Sequence, residues 1–123
     1  MSDAADITKT LDLYFDALYE GDIWKLKQAF HPNAHLYSAT GDKFVDLSLE
    51  EYMRLVGGRP SPQSQSQERT GRVVLIDQSG PNSAVVKVQA SVKPRDFVDY
   101  LTLLRLDGYW KIISKTYHFT ETA

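Results

Sequence analysis

His31 and His35 stand four residues apart, a spacing at which two imidazoles on a helix can grip zinc. Pro32 lies between them and breaks any helix there, so that geometry is not available. No third ligand stands nearby, and His118 would have to approach from the last strand. His31, beside the proline, reads as a loop residue that hydrogen-bonds a helix end. His35 falls on a short strand and is the better candidate for a pocket wall or an acid/base group. Glu50 and Glu51 are adjacent carboxylates at a helix start, where they complement the dipole; they do not read as a glycosidase pair. The chain has no cysteine, which excludes disulfides, thiolate catalysis and cysteine–zinc sites. It has no Gly-x-Ser-x-Gly elbow and no glycine-rich phosphate loop, since Gly57-Gly58 ends a helix. Neither a metal nor a cofactor is expected.

The large aromatic side chains form a second group. Trp24, Tyr52, Tyr100 and Tyr117 are the stacking partners to test if a planar ligand exists. Their alternative use, with Met53 and Trp110, is to close the end of a packed core. Asp99, Arg105 and Lys115 sit among apolar neighbours on long strands; a pocket salt bridge is one use for them, and a solvated or partner-facing ladder is the preferred one. Leu101, Leu103 and Arg105 would then line an outer sheet face, and an apolar outer face predicts a C2 homodimer.

The elements that must position these groups are legible from periodicity. Ile7, Leu11, Tyr14, Phe15 and Leu18 recur at steps of three and four, the stripe of an amphipathic helix ending at Gly21. Asp22 caps a short second helix, which His31-Pro32 stops. Ala34 to Ser38 and Lys43 to Leu47 predict short strands around a turn. Ser48-Leu-Glu-Glu51 is a capping box opening a third helix. Residues 59–66 predict a polar loop. Gln67 to Ile76, Ser83 to Val92, Asp96 to Leu106 and Tyr109 to Phe119 predict four long strands. In the second of these, Val86, Val88, Ala90 and Val92 alternate with polar residues, so one face is buried. Asp107-Gly108 predicts a two-residue hairpin turn. Helices first and a strand meander afterwards give an α+β fold.

Tyr14-Phe-Asp-Ala-Leu-Tyr-Glu-Gly-Asp22, Ala29-Phe-His-Pro-Asn-Ala34 and Asp107-Gly-Tyr-Trp-Lys-Ile112 resemble a first-helix ending, a second helix entering the first strand, and a final hairpin. In that order they resemble the nuclear-transport-factor-2-like (cystatin-like α+β) superfamily. The capping-box helix and Val98-Asp-Tyr-Leu-Thr-Leu-Leu are most similar to its small bacterial lumazine-binding and SnoaL-like proteins. The resemblance covers Asp6 to Phe119. It implies three helices packed in the concave face of a strongly curved, mostly antiparallel sheet, with an internal pocket and often a homodimer.

The superfamily includes ketosteroid isomerase, whose chemistry transfers only in part. Tyr14 matches the isomerase's oxyanion-binding tyrosine. Its general-base aspartate falls on Ser38, and its protonated oxyanion-hole aspartate falls on Thr102, so neither carboxylate is present. The same correspondence turns Tyr14, Tyr100, Thr102 and Leu104 toward the interior. It places Tyr117 and Phe119 inward and gives Trp110 and Ile112 the opposite parity, a conflict left open.

At 123 residues the chain is one domain, with residues 1–5 expected as a disordered tail. Its 42% hydrophobic and 24% charged composition is that of a globular protein, and a net charge of −2 draws it neither to nucleic acid nor to an anionic membrane. The start has no signal-peptide pattern and no stretch approaches the ~20 apolar residues of a membrane span, so a cytoplasmic protein is expected. Three functions follow. The first is a binding domain for a small apolar or aromatic molecule, in a pocket ringed by Tyr14, His35, Tyr52, Tyr100 and Thr102. The second is a cyclase, dehydratase or isomerase with His35 as base and Tyr14 with Thr102 as oxyanion donors. The third is a structural module pairing through its sheet.

Overall fold

The computed structural model describes residues 3–122. Helix α1 (Asp3–Glu20) turns at Gly21, whose φ of +69° is the left-handed conformation expected after a helix. Helix α2 (Ile23–Ala29) follows, with Asp22 accepting from the Trp24 and Lys25 amides. Strand β1 (Phe30–Ser38) leads through a short 3-10 turn to β2 (Val45–Ser48) and α3 (Leu49–Gly58). The capping box is formed in full: Ser48 accepts from the Glu51 amide, and Glu51 accepts from the Ser48 amide. The rest is β3 (Arg72–Ser79), β4 (Ser83–Val92), β5 (Arg95–Leu106) and β6 (Tyr109–Glu121).

Several boundaries differ from expectation. Asp3 to Ala5 form the first turn of α1 and are not a tail; Met1 and Ser2 lie outside the described residues. Strand β1 starts at Phe30, four residues early, and takes Pro32 into a stretch where its register with β6 slips. A proline is tolerated there because no ladder amide is required. Strand β3 starts at Arg72 and not at Gln67. Gly71 explains the delay: its φ is +148°, and a Cβ there would lie 2.8 Å from the Phe15 ring. Only glycine lets the chain enter the strand from that close approach.

The sheet runs β2-β1-β6-β5-β4-β3; β1 lies parallel to β6 and every other pairing is antiparallel. The curved sheet packs its inner face on the helices, giving the expected α+β cone. Ile7 and Leu11 from α1, Leu26 from α2, and Val86, Leu101 and Ile112 from the sheet are fully buried in one core. No helix among the described residues is long and apolar enough to cross a membrane.

Two registers decide which side chains look inward. The turn between β4 and β5 pairs Val92 with Arg95, and the same register sets Val88 opposite Asp99, Val86 opposite Leu101 and Ala84 opposite Leu103. Directly opposed residues share a face, so Asp99, Leu101 and Leu103 join the buried valines. Tyr100, Thr102 and Leu104 therefore point outward, the reverse of the expected parity. Tyr100 is 50% exposed, while Leu101 is fully buried. The outer face is correspondingly not the one lined by Leu101 and Leu103.

Between β5 and β6 the pairing runs from Leu106 opposite Tyr109 to Leu103 opposite Ile112, then shifts to Thr102 opposite Ser114. Ile113 is the extra residue of a β-bulge. It resolves the conflict over the last strand. Trp110 and Ile112 face in before the bulge, and Lys115, Tyr117 and Phe119 face in after it.

Candidate functional site

Where α1, α3 and the inner faces of β4, β5 and β6 diverge, a cleft opens to solvent. Its empty space, including the solvent at its mouth, is about 520 Å³. Tyr14 and Leu18 from α1, Tyr52 and Leu55 from α3, Arg59 just beyond α3, and Phe97, Asp99, Lys115 and Tyr117 from the sheet are among its walls. Tyrosine hydroxyls, two arginines, an aspartate and a lysine share its walls with aliphatic side chains.

At its deep end lies a buried polar network. Tyr14 has no exposed surface, Asp99 is 1% exposed and Lys115 is 4% exposed. Tyr14 Oη donates to Asp99 Oδ2 at 2.6 Å, and Lys115 Nζ lies 3.8 Å from the same oxygen. Lys115 donates to Tyr52 Oη at 3.1 Å. Asp99 Oδ1 is buried and has no hydrogen-bond partner among the described residues. An acceptor left in that condition costs about 1–3 kcal/mol.

The surroundings explain how a charge is held there. Lys115 Nζ sits 4.8 Å from the Tyr52 ring centre, 5.2 Å from those of Tyr14 and Tyr117, and 6.0 Å from that of Phe97. Four π-faces around one ammonium replace part of its hydration. Burial pulls the lysine toward its neutral form, but the Asp99 carboxylate and Tyr52 outweigh it, and its pKa is raised. Burial first, then Asp99 and Tyr52, push the Tyr14 hydroxyl well above the usual phenol range. At neutral pH the site therefore presents a protonated lysine and a neutral tyrosine. An ammonium is a cation and hydrogen-bond donor; it is not the free amine that forms imines with carbonyls.

Of the ligand-binding candidates chosen from the sequence, Tyr14, Tyr52 and Tyr117 line this cleft. The others do not. His35 lies on the outer side of β1, with Nδ1 2.7 Å from Asp46 Oδ1 and its ring stacked on Tyr37 at 6.0 Å. Burial alternates along β1, with Ala34, Leu36 and Ser38 inside, which turns His35 away from any pocket base role. Thr102 hydrogen-bonds Ser114 across the outer face. Tyr100 is on that face beneath Lys87, 5.5 Å from its ring centre. Trp24 is 69% exposed on α2. Ser38 is buried, but its hydroxyl is spent 3.0 Å from Thr40 Oγ1 and it is not a cleft wall.

Asp99 and Lys115 are the residues that sequence reasoning placed on the wrong side. A signal for them existed in the register of the Lys93-Pro94 turn, which puts Asp99 opposite the inward Val88. Among the described residues no group of three histidine or acidic side chains is placed to hold a metal ion.

Residues 2–118 match the model of the family described as "Putative lumazine-binding". An NTF2-like protein of unknown function from Methylobacillus flagellatus KT is 27% identical, with a TM-score of 0.85 over 96% of this chain and 92% of its own. One from Shewanella baltica OS155 is 21% identical, with a TM-score of 0.85 over 97% and 94%. A curated relative, aldolase FrzH from Cladobotryum sp., is 25% identical over 114 residues, 91% of this chain and 87% of that protein.

Proposed function

The chain belongs to the family described as "Putative lumazine-binding", within the NTF2-like fold, and on that premise we propose that it binds a small organic molecule in the cleft above Lys115. The observation that carries this reading is the unpaired Asp99 Oδ1 beside a caged ammonium under a solvent-open cleft. Buried polar groups are ordinarily paired, and a ligand that approaches this floor supplies the missing partners. Tyr14, Tyr52 and Tyr117 are the aromatic walls, Asp99 and Lys115 the polar floor. Native mass spectrometry of gently purified protein, before and after denaturation, tests it. A stoichiometric small molecule released on unfolding is the expected result; apo protein that also binds no compound at the cleft would overturn it.

A second reading, carbonyl chemistry at the same floor, is favoured by the protonated Lys115. An ammonium held by the protein can stabilise an enolate oxygen without solvent reorganisation. The aldolase relative is consistent with this reading; Lys115 takes the oxyanion-donor role expected of Thr102, and the Asp99 carboxylate, whose Oδ1 has no partner among the described residues, takes the α-proton in place of His35. It requires solvent deuterium to enter a bound ketone at its α-carbon, with the rate lost in Lys115→Met and kept in His35→Ala.

Pairing of two copies through the outer sheet face, where Tyr37 and Tyr100 are exposed, belongs to the same proposal. A monomeric mass in light scattering at micromolar concentration would remove it.

A further inference from the structure

The cleft is positive in a chain whose formal net charge is −2. Arg59, Arg95 and Lys115 line it against a single carboxylate, Asp99. Arg59 follows the last turn of α3 at the mouth, forms no ion pair among the described residues, and is near enough to Lys115 to repel its charge. Arg95 is held flat, its guanidinium 4.1 Å from the Phe119 ring centre. Its Nε is ion-paired with Glu121 Oε1 at 4.0 Å between exposed side chains, beyond hydrogen-bond reach, so its N–H donors are unspent. Two planar guanidinium groups lining one cleft fit a carboxylate, which can accept two parallel bonds from one and a further bond from the other.

The floor asks for something else. An ammonium has three N–H donors, and the Lys115 ammonium gives one to Tyr52, while Asp99 Oδ2 at 3.8 Å is too far to take a second. A neutral carbonyl oxygen is the complement of that surplus.

Resting on the cleft-binding reading above, we propose that the ligand is a small oxo acid. Its carboxylate lies between Arg59 and Arg95 at the mouth, its carbonyl oxygen accepts from Lys115 at the floor while a hydroxyl beside that carbonyl donates to Asp99 Oδ1, and its apolar body packs on Tyr52, Phe97 and Tyr117.

Three probes of one shape separate these contacts by calorimetry on the full chain. They are 4-acetylbenzoate, its methyl ester, and 4-isopropylbenzoate, which lacks the carbonyl. The acid is expected to bind about tenfold or more tighter than either analogue, since a charge-assisted contact contributes at least that factor. Arg59→Gln and Arg95→Gln, both at the solvent-facing rim, are expected to remove the preference for the acid and leave the ester unchanged. Lys115→Met is expected to remove the preference for the carbonyl. Should that variant fail to fold, the comparison of 4-acetylbenzoate with 4-isopropylbenzoate on the unaltered protein still decides the floor contact. An ester that binds as tightly as the acid, or an acid indifferent to Arg59→Gln, would overturn the oxo-acid inference while leaving cleft binding intact. If no probe binds and native mass spectrometry finds only apo protein, both readings fall.

Discussion

Helix α1 touches two interiors. Its first half sets Ile7 and Leu11 into a core shared with Leu101, Leu103 and Ile112, where the side chains are apolar and almost wholly buried. Its second half sets Tyr14 against Asp99 and Lys115, on the same two strands a few residues along. Burying an aliphatic side chain of the first kind contributes about 1.5–3 kcal/mol. A buried ion pair of the second kind, measured against a packed apolar replacement, contributes nothing or costs about 1–4 kcal/mol. The fold therefore rests on one end of the cone, and the other end carries a charge arrangement that folding does not need. Function is to be sought at the end that stability does not explain.

The sharpest way to break that contrast is to unpair the polar end. Lys115→Met leaves Asp99 and its unsatisfied oxygen in a dry site, and is expected to lower stability by about 3–5 kcal/mol in urea unfolding. Replacing Tyr14, Asp99 and Lys115 together by Phe, Leu and Met is expected to recover most of that loss and to abolish ligand binding. A single variant costing under ~1 kcal/mol would show that the ammonium already reaches water and that the network is not a closed unit.

A smaller effect is expected at the apolar end. Leu101→Ala removes a fully buried side chain and is expected to cost about 2–5 kcal/mol, depending on how far the core collapses. Affinity for the cleft ligand should stay within about twofold. The adjacent Tyr100→Ala, at an outward position, is expected to change stability by no more than about 0.5 kcal/mol. Equal costs for the two neighbours would mean that β5 presents both faces to packed surroundings, as a sheet-to-sheet dimer would arrange.

That pair of neighbours also marks where the sequence was readable. The α1 stripe, the Ser48 capping box and the Asp107-Gly108 turn, both of whose residues take positive φ, are local signals, and each formed as the residues imply. The direction of β5 was not settled by its own alternation, because Tyr100, Thr102 and Leu104 make as plausible an inner face as Asp99, Leu101 and Leu103. Only pairing with β4 decides it, through a turn at Lys93-Pro94 that puts Leu101 on Val86. The bulge at Ile113 is less accessible still, since a hairpin turn fixes register only until an extra residue resets it. Tyr14 was legible as an inward-facing residue of α1; the side chains it meets there were hidden by one residue of register.

Alkaline titration separates the two ends with the smallest perturbation. Lys115 and Tyr14 both have raised pKa values, so the folded protein holds both protons more tightly than the unfolded chain. Their proton-linked contribution is fully present below the unfolded values, near pH 10 for both groups, and is lost as pH rises through the folded values. Stability from these groups should be level between pH 7 and about pH 10, then fall. Leu101→Ala is expected to lower the whole curve and keep its alkaline slope. The triple replacement by Phe, Leu and Met should flatten part of that slope, leaving what other groups such as the raised Tyr117 supply. Urea midpoints measured from pH 7 to pH 11 on the three proteins check this. An unchanged slope in the triple variant would mean that the buried network does not hold its protons against solvent, and the two ends of the cone would no longer differ in kind.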